Sequence, residues 1–342
     1  MIPDERYETK KMLGEGTYGK VFLARDKMTD ADVAIKKIKT GSQATAGSES
    51  AGFHFTSIRE IKVMRAVSHV NLVTLLDLYA VDSQLCLVMP YLPLDLKQVI
   101  ADRSVVLSMA HVKCIVRQIL SGLSALHSAW FLHRDLSPAN ILVDPHSGTC
   151  KLADFGLSRS FGSPYPGLLG RRRTFGGVMT SAVVTLWYRA PELLFGSQHY
   201  GAAVDIWAVG CLWAELMPRA KSGSVQLRQA LFPGQSEVDQ LQKIFELLGT
   251  PSEVLWREAV NFPKFMRFTH LPPPDTPWPR DLFPAATEAA PDTDTLMQAI
   301  LSLDPNNRPS ADELLRHDYF GAAPKPCSEA ALSKQVFAFV SR

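Results

Sequence analysis

The chain has 342 residues, of which 46% are hydrophobic and 20% charged, with a net charge of +2 at neutral pH. That length exceeds what one hydrophobic core usually fills, so two lobes are expected, and the composition excludes an intrinsically disordered chain. The near-neutral balance supplies no global field for nucleic acid or an anionic membrane, so neither is expected as a direct partner.

Taken from the N-terminus, MIPDERYETKKML has acids and a proline where a signal peptide needs an apolar run. Residues 7–38 alternate around glycine turns and read as strands. Residues 40–52, TGSQATAGSESAG, are small and polar, as in a flexible insertion. FHFTSIREIKVMRAV then has helical spacing through Phe55, Ile58, Ile61 and Met64. Strand-like runs follow at 72–80 and 84–91, so the first part of the chain is β-rich with one helix.

Beyond that the pattern is mostly helical. Residues 109–129 are amphipathic, and DIWAVGCLWAELM (205–217) is apolar on every side, which predicts a buried helix. SEVDQLQKIFELLG (236–249) opens on Ser and closes on Gly, the chemistry of a helix start and stop. Residues 250–292 are Pro-rich and irregular, and helical pattern returns at 293–302 and 310–316. The tail from Gly321 is expected to be short and partly disordered. No apolar stretch approaches the roughly 18 residues of a membrane span, so a soluble intracellular protein is expected. Cys86, Cys114, Cys150, Cys211 and Cys327 form no C-x-x-C pair, and buried free thiols are expected rather than disulfides or zinc ligands.

Several motifs carry chemistry. GEGTYGKV (14–21) places Gly14, Gly16 and Gly19 in a strand–turn–strand, where backbone N–H groups can approach phosphates. A dinucleotide-binding unit has the same letters, but here a strand follows the loop and no acid ends a second strand at the required distance. DVAIKKI sets Lys36 in a strand beyond the loop, with Glu60 of the following helix as its partner. LHRDLSPANILV holds Asp135 and Asn140, LADFGLSR holds Asp154, and RAPE (189–192) closes the segment from Asp154. Arg308 is the expected ion-pair partner of Glu192. These parts stand in the order of a phosphotransferase: Lys36 on the phosphates, Asp154 and Asn140 on Mg²⁺, and Asp135 on the hydroxyl proton.

On these motifs the sequence resembles eukaryotic protein kinases of the cyclin-dependent group over about residues 7–320. FTSIRE is similar to that group's cyclin-binding helix, VVTLWYRAPELLFG to the end of its activation segment, and IFELLGTPSEVLW to an insert of its larger lobe. ARDKMT, WFLHRDL, LADFGLSRSFGSP, LLFGSQHYGAAVDIWAVGCLWAEL and GQSEVDQLQKIFELLGTP most resemble the kinase that activates cyclin-dependent kinases and serves general transcription factor TFIIH. Thr17-Tyr18 instead looks like the inhibitory phosphorylation pair of cell-cycle members.

The resemblance implies an α+β bilobal fold. The kinase domain would span 1–320, with a small β-rich lobe over about 1–90, a larger, mostly helical lobe over about 93–320, and a short tail at 321–342. It implies a Ser/Thr kinase that uses ATP and Mg²⁺ on protein substrates in nucleus and cytoplasm, either activating kinases and the RNA polymerase II tail or, alternatively, acting as a cell-cycle kinase on broader proline-directed targets. A cyclin would dock on the helix around Phe55–Glu60, and an assembly factor could join it. The implied nucleotide site takes Leu13, Val21, Ala34 and Leu142 around adenine, Met89 at the gatekeeper, Pro90, Tyr91 and Leu92 as hinge, and Asp95 at the ribose. Gly14, Glu15, Gly16, Thr17, Tyr18 and Gly19 would cover the phosphates. Arg59, Arg134 and Arg159 match the arginines that gather an activation-loop phosphothreonine. Thr180 is the implied acceptor, with Thr17, Tyr18 and Ser163 as further phosphosites. Ser137 departs from the pattern, because the family carries Lys or Arg there to neutralise the transferring phosphoryl group. Reduced activity is expected from the complete ligand set, and an inactive scaffold is the alternative of another class.

Overall fold

The structure is a computed structural model that describes residues 3–16, 19–38, 55–81, 84–161, 186–197, 200–217, 228–252, 256–262, 264–265 and 282–337. A short helix α1 (Pro3–Arg6) leads into β1 (Tyr7–Gly16), β2 (Gly19–Asp26) and β3 (Ala31–Ile38). Helix α2 (Phe55–Ala66), β4 (Asp77–Val81) and β5 (Gln84–Pro90) complete the first lobe. The strands form one antiparallel sheet in the order β1-β2-β3-β5-β4.

Each strand alternates, so the sheet has two covered faces. On one, Tyr7, Ala24, Val33, Ile35, Tyr79, Cys86 and Val88 form a small core in which Tyr7 and Tyr79 stack at 5.6 Å. Arg6 clamps this core, donating from Nε and Nη2 to both oxygens of Asp26 at 2.9 and 2.8 Å. On the other face Ile38 and Leu87 join the main core with Val63 and Met64 of α2. Helix α2 departs from its expected stripe. Thr56, Ser57 and Glu60 are buried, whereas Phe55 and Ile58 are 50% and 57% exposed. The first turns of the helix therefore set polar side chains toward the interior and leave Phe55 and Ile58 in solvent, while Val63 and Met64 carry the apolar burial further along.

The second lobe begins with β6 (Leu94–Asp95), α3 (Leu96–Ala101), α4 (Met109–Ser128) and β7 (Phe131–Leu132). The hairpin β8 (Ile141–Asp144) and β9 (Thr149–Leu152) pairs with β6, and β10 (Arg159–Ser160) pairs with β7. Helices α5 (Pro191–Leu194), α6 (Ala203–Leu216), α7 (Glu237–Leu248), α8 (Pro284–Ala289), α9 (Thr293–Ile300), α10 (Ala311–Arg316) and α11 (Glu329–Leu332) follow. Every residue of α6 from Val204 to Leu216 is buried, as its all-round apolar sequence requires. Ser236 caps α7 by accepting from the Asp239 N–H, and Gly249 ends it at a φ of 96°.

The tail corrects an expectation. Its described residues, 321–337, are ordered: they follow α10 across α4 and dock on the β8–β9 hairpin. Leu332, Val336 and Phe337 are fully buried. Ser333 Oγ donates to the carbonyls of Pro145 and His146 at 2.6 and 3.0 Å. Lys113 of α4, also fully buried, donates to the carbonyls of Tyr319 and Ala322 at 2.7 and 3.2 Å. The apolar spacing in ALSKQVF carries this docking. The Pro-rich stretch likewise contains α8. All five cysteines are free thiols, with only Cys327 partly accessible.

Candidate active site

Cross-strand partners in an antiparallel sheet share a face. Gly14 pairs with Val21, Val21 with Lys36, Ala34 with Met89 and Lys36 with Leu87. These residues, drawn from β1, β2, β3 and β5, therefore line one side of the sheet, the side facing α2 and the second lobe. Val21, Ala34, Met89, Tyr91, Leu92 and Leu142 are only half-buried, as apolar and aromatic side chains bordering a cleft are. Leu13 and Glu15 on β1 are exposed. Asp95 pairs with Leu142 between β6 and β8, and its Oδ1 caps α3 by accepting from the Gln98 N–H at 2.7 Å. The glycines differ in cause. A Cβ on Gly19 would lie 2.3 Å from the Lys37 carbonyl, so packing alone demands glycine there, whereas one on Gly14 would meet open space. Gly16 ends β1, and Thr17 and Tyr18 lie outside the described residues.

Lys36 donates to both carboxylate oxygens of Glu60 at 2.8 and 2.7 Å and stands 3.7 Å from Asp154 Oδ1. Burial pulls the ammonium's pKa down, but the two carboxylates outweigh it and hold Lys36 above its ordinary value. Burial pushes Glu60 up against the pull of Lys36. The close geometry makes this an ion pair at neutral pH. Asp154 sits in the left-handed region at φ 59°, the conformation that lets Phe155 turn inward while its own carboxylate stays exposed. Phe155 is buried against the His133 ring at 5.5 Å, and His133 Nε2 bonds the Ala153 carbonyl at 3.0 Å.

The catalytic loop is tied to this strand end. Ala153 N–H donates to the Asn140 carbonyl at 2.9 Å, which sets Asn140 beside Asp154. Asn140 Nδ2 donates to the Asp135 carbonyl at 2.7 Å and to Asp135 Oδ2 at 3.0 Å. Its amide oxygen is thereby oriented away from Asp135. Burial, and then the Asp154 charge, raise the Asp135 carboxyl to about 7, against the Asn140 bond and the fields of Arg189 and Arg134. Asp205, a buried acid in α6, accepts from the backbone N–H groups of His133 and Arg134 at 2.9 and 2.7 Å and pairs with His127 Nε2 at 2.9 Å. Sequence reasoning missed this anchor. Its only signal was an acid at the start of a helix that is otherwise apolar save for Glu215.

The protein kinase domain family matches residues 7–320. The chain belongs to the protein kinase family. Cyclin-dependent kinase 7 of Xenopus laevis is 42% identical over 341 residues, covering 97% of this chain and 88% of that protein. Serine/threonine-protein kinase crk1 of Schizosaccharomyces pombe is 39% identical, covering 96% and 89%. Among solved structures, the CAK complex of Chaetomium thermophilum bound to ATP-γ-S superposes with a TM-score of 0.80 at 36% identity, covering 96% of this chain and 94% of that one. The chain is a Ser/Thr protein kinase of the cyclin-dependent type.

In this kinase the segment after Asp154 is fixed at both described ends. Glu192 and Arg308 form a buried bidentate pair at 2.7 and 2.9 Å, as the sequence predicts, and Arg308 also donates to the carbonyls of Ser302, Ala203 and Leu303. Trp187 Nε1 donates to the Gly234 carbonyl at 3.0 Å, and Arg189 meets Glu237 at 3.4 Å. Arg59 on α2, Arg134 beside Asp135 and Arg159 on β10 are brought together. Burial, then the charges of Arg134 and Arg159, lower the pKa of the Arg59 guanidinium. Thr180 and Ser163 lie outside the described residues.

Proposed function

We propose that this kinase transfers the ATP γ-phosphate to Ser or Thr of proteins as a cyclin-bound enzyme of the activating and TFIIH type. The assembled quartet of Lys36, Glu60, Asp135 and Asp154 carries the reading. The donor set suits the group it would hold: the Asp154 carboxylate and the Asn140 amide oxygen are hard oxygen ligands of the kind Mg²⁺ prefers. ATP supplies the phosphoryl group when bound, with Mg²⁺ neutralising its charge. Lys36, fixed by Glu60, orients the phosphates. Asp135, held by Asn140, positions the substrate hydroxyl and accepts its proton. Gly14 and Gly16 let the backbone at the end of β1 approach the phosphates, and Val21, Ala34, Leu142 and Met89 enclose the base. No ligand is missing, so the scaffold reading has no structural motive.

Exposed Phe55 and Ile58 on α2 support cyclin docking, because an apolar helix face left in solvent marks a partner site. An assembly factor would join the same complex. The protein would work in nucleus and cytoplasm, where other cyclin-dependent kinases and the RNA polymerase II tail are its substrates. The test is phosphate transfer by the cyclin-bound kinase to three substrates side by side: an inactive cyclin-dependent kinase, a heptad-repeat peptide, and a generic Ser-Pro peptide. Asp154→Asn should abolish transfer to all of them. Residual transfer near the parent level would remove Asp154 from the metal role, and preference for the generic peptide would favour a cell-cycle kinase.

A further inference from the structure

The segment 327–337 is held to the second lobe at points spread along its length. The Cys327 N–H donates to the Ala110 carbonyl in the first turn of α4 at 3.1 Å. His111 Nδ1 accepts from the Ser108 N–H at 3.1 Å, so its Nε2 carries the proton and donates to Gln335 Oε1 at 2.8 Å. Ser333 Oγ shares its one proton between the carbonyls of Pro145 and His146, in the turn between β8 and β9. Val336 and Phe337, fully buried, seal the end of this strap.

The hairpin is shaped to receive it. Gly148 has a φ of 79°, and a Cβ there would overlap the Glu329 carbonyl, so the position needs glycine both for its backbone and for the approach of the strap. On the hairpin's other side lies Gln118 of α4, which is buried. Its Nε2 donates to the Gly148 carbonyl at 3.1 Å, and its Oε1 accepts from the Cys150 N–H at 2.8 Å and from Asn71 Nδ2 at 3.1 Å. Asn71 Nδ2 also donates to the Cys150 carbonyl at 2.9 Å. The Asn71 carbonyl accepts from the Leu152 N–H, and the Leu152 carbonyl from the Val73 N–H, both at 2.9 Å. The hairpin is thus clamped between the strap and a buried amide network that ends on the residues joining α2 to β4.

That hairpin carries parts of the site. Leu142 stands on β8, and β9 runs on into Ala153, which bonds the Asn140 carbonyl, and then into Asp154. Groups in a buried network orient one another, so slack at its outer wall is felt along it. We propose that the strap is a positioning element of the nucleotide site, with Ser333 as its positioning residue: it presses the hairpin against Gln118, so that Leu142 and the chain entering Asp154 keep their place. This rests on the reading of Leu142 as part of the wall around the base.

The test uses the cyclin-bound kinase as parent, Ser333→Ala, Phe337→Ala and Leu142→Ala, with Leu248→Ala on α7 as the control for lost stability. Three quantities are read: the KM for ATP, the KM for a peptide substrate, and amide hydrogen exchange over residues 141–152. Ser333→Ala removes a hydroxyl and no apolar volume, which keeps the test open should Phe337→Ala fail to fold. In Ser333→Ala the KM for ATP should rise about fivefold, the scale of one lost hydrogen bond. The peptide KM should stay within about twofold, and exchange in the hairpin should quicken. Phe337→Ala should do at least as much. Faster exchange over 327–337 with the KM for ATP at the parent level overturns the inference, because the strap then only packs. So does an equal rise in both KM values, or the same rise for ATP in Leu248→Ala. Leu142→Ala separates the two readings: if it leaves the KM for ATP unchanged, the placement of Leu142 at the base fails, and with it the inference. If it raises that KM while both strap variants behave as parent, only the strap is excluded.

Discussion

Replacing Glu60 by Gln keeps the side chain's shape and removes its charge, which isolates what the ion pair does. Lys36 lies 2.7 Å from Glu60 and 3.7 Å from Asp154. At an effective dielectric of about 20 these separations correspond to attractions of about 6 and about 4.5 kcal/mol, so Glu60 holds the larger share of the ammonium. Without that charge Lys36 turns to Asp154, the carboxylate needed for the metal. Breaking a buried pair typically costs about 3–5 kcal/mol, and the lower end applies because Asp154 remains as a partner. The effect on turnover is a separate quantity: losing one preorganised electrostatic partner of the reacting group raises the barrier by about 3 kcal/mol, about two orders of magnitude in kcat/KM. The Mg²⁺ concentration for half-maximal rate should rise at the same time, since the ammonium now competes for Asp154. Steady-state kinetics of the cyclin-bound kinase at varied ATP and Mg²⁺ check both effects. A fall of less than about fivefold, or an unmoved Mg²⁺ requirement, would refute the reasoning that Glu60 keeps Lys36 off Asp154.

Arg308→Ala strands the buried Glu192 carboxylate and three carbonyls, and should cost about 3–5 kcal/mol, seen as a lower urea midpoint. Ser137→Lys should raise the single-turnover rate and leave the ATP dissociation constant unchanged, and an equal or slower chemical step argues for a site already compensated. Asp135→Asn should raise the melting temperature of the metal-free kinase at pH 8 and change it little at pH 4. The sign follows from the carboxyl lying near 7 in the folded chain against an ordinary 3.8: the folded state loses stability as pH rises between those values, fully so above about 7, and the amide removes that loss.

The site was legible where chemistry is written in local strings. Lys36, Asp135, Asn140 and Asp154 each sit in a stretch whose strand or loop pattern places them without knowledge of distant contacts. Glu60 was legible by order alone, yet the burial at the start of its helix was not, because the first turns of α2 bury Thr56 and Ser57 and expose Phe55 and Ile58, whereas Met64 of the same apolar stripe is buried as its spacing predicts. Asp205 was illegible for another reason. It acts on residues more than sixty positions earlier, and only the folding of α6 against the catalytic loop brings it there. The tail was misjudged because short apolar spacing looks weak until the hairpin that receives it is known.

The catalytic loop now bears on Ser137 directly. Ser137 precedes the turn at Pro138–Asn140, is half-buried, and makes no side-chain cap bond, although its carbonyl accepts from the Asn140 N–H at 3.0 Å. Its backbone therefore still does what holds Asn140 in place, so the loop's geometry does not depend on a longer side chain there. What the serine lacks is charge. Lys151, one candidate to supply it, is committed elsewhere, since its ammonium donates to the Val70 carbonyl at 2.5 Å. A second candidate, the basic run Arg171–Arg173 in the sequence between Asp154 and Glu192, lies outside the described residues. The cations that do act on Asp135 are Arg189 and Arg134, and both favour its ionised form. They steady the group that takes the hydroxyl proton, while the phosphoryl group itself loses a fixed neutralising neighbour. The residues proposed for positioning and for metal ligation are all in place and one cation is absent, so the proposed outcome is slower transfer by an enzyme that is still a kinase, which the Ser137→Lys single-turnover rate checks.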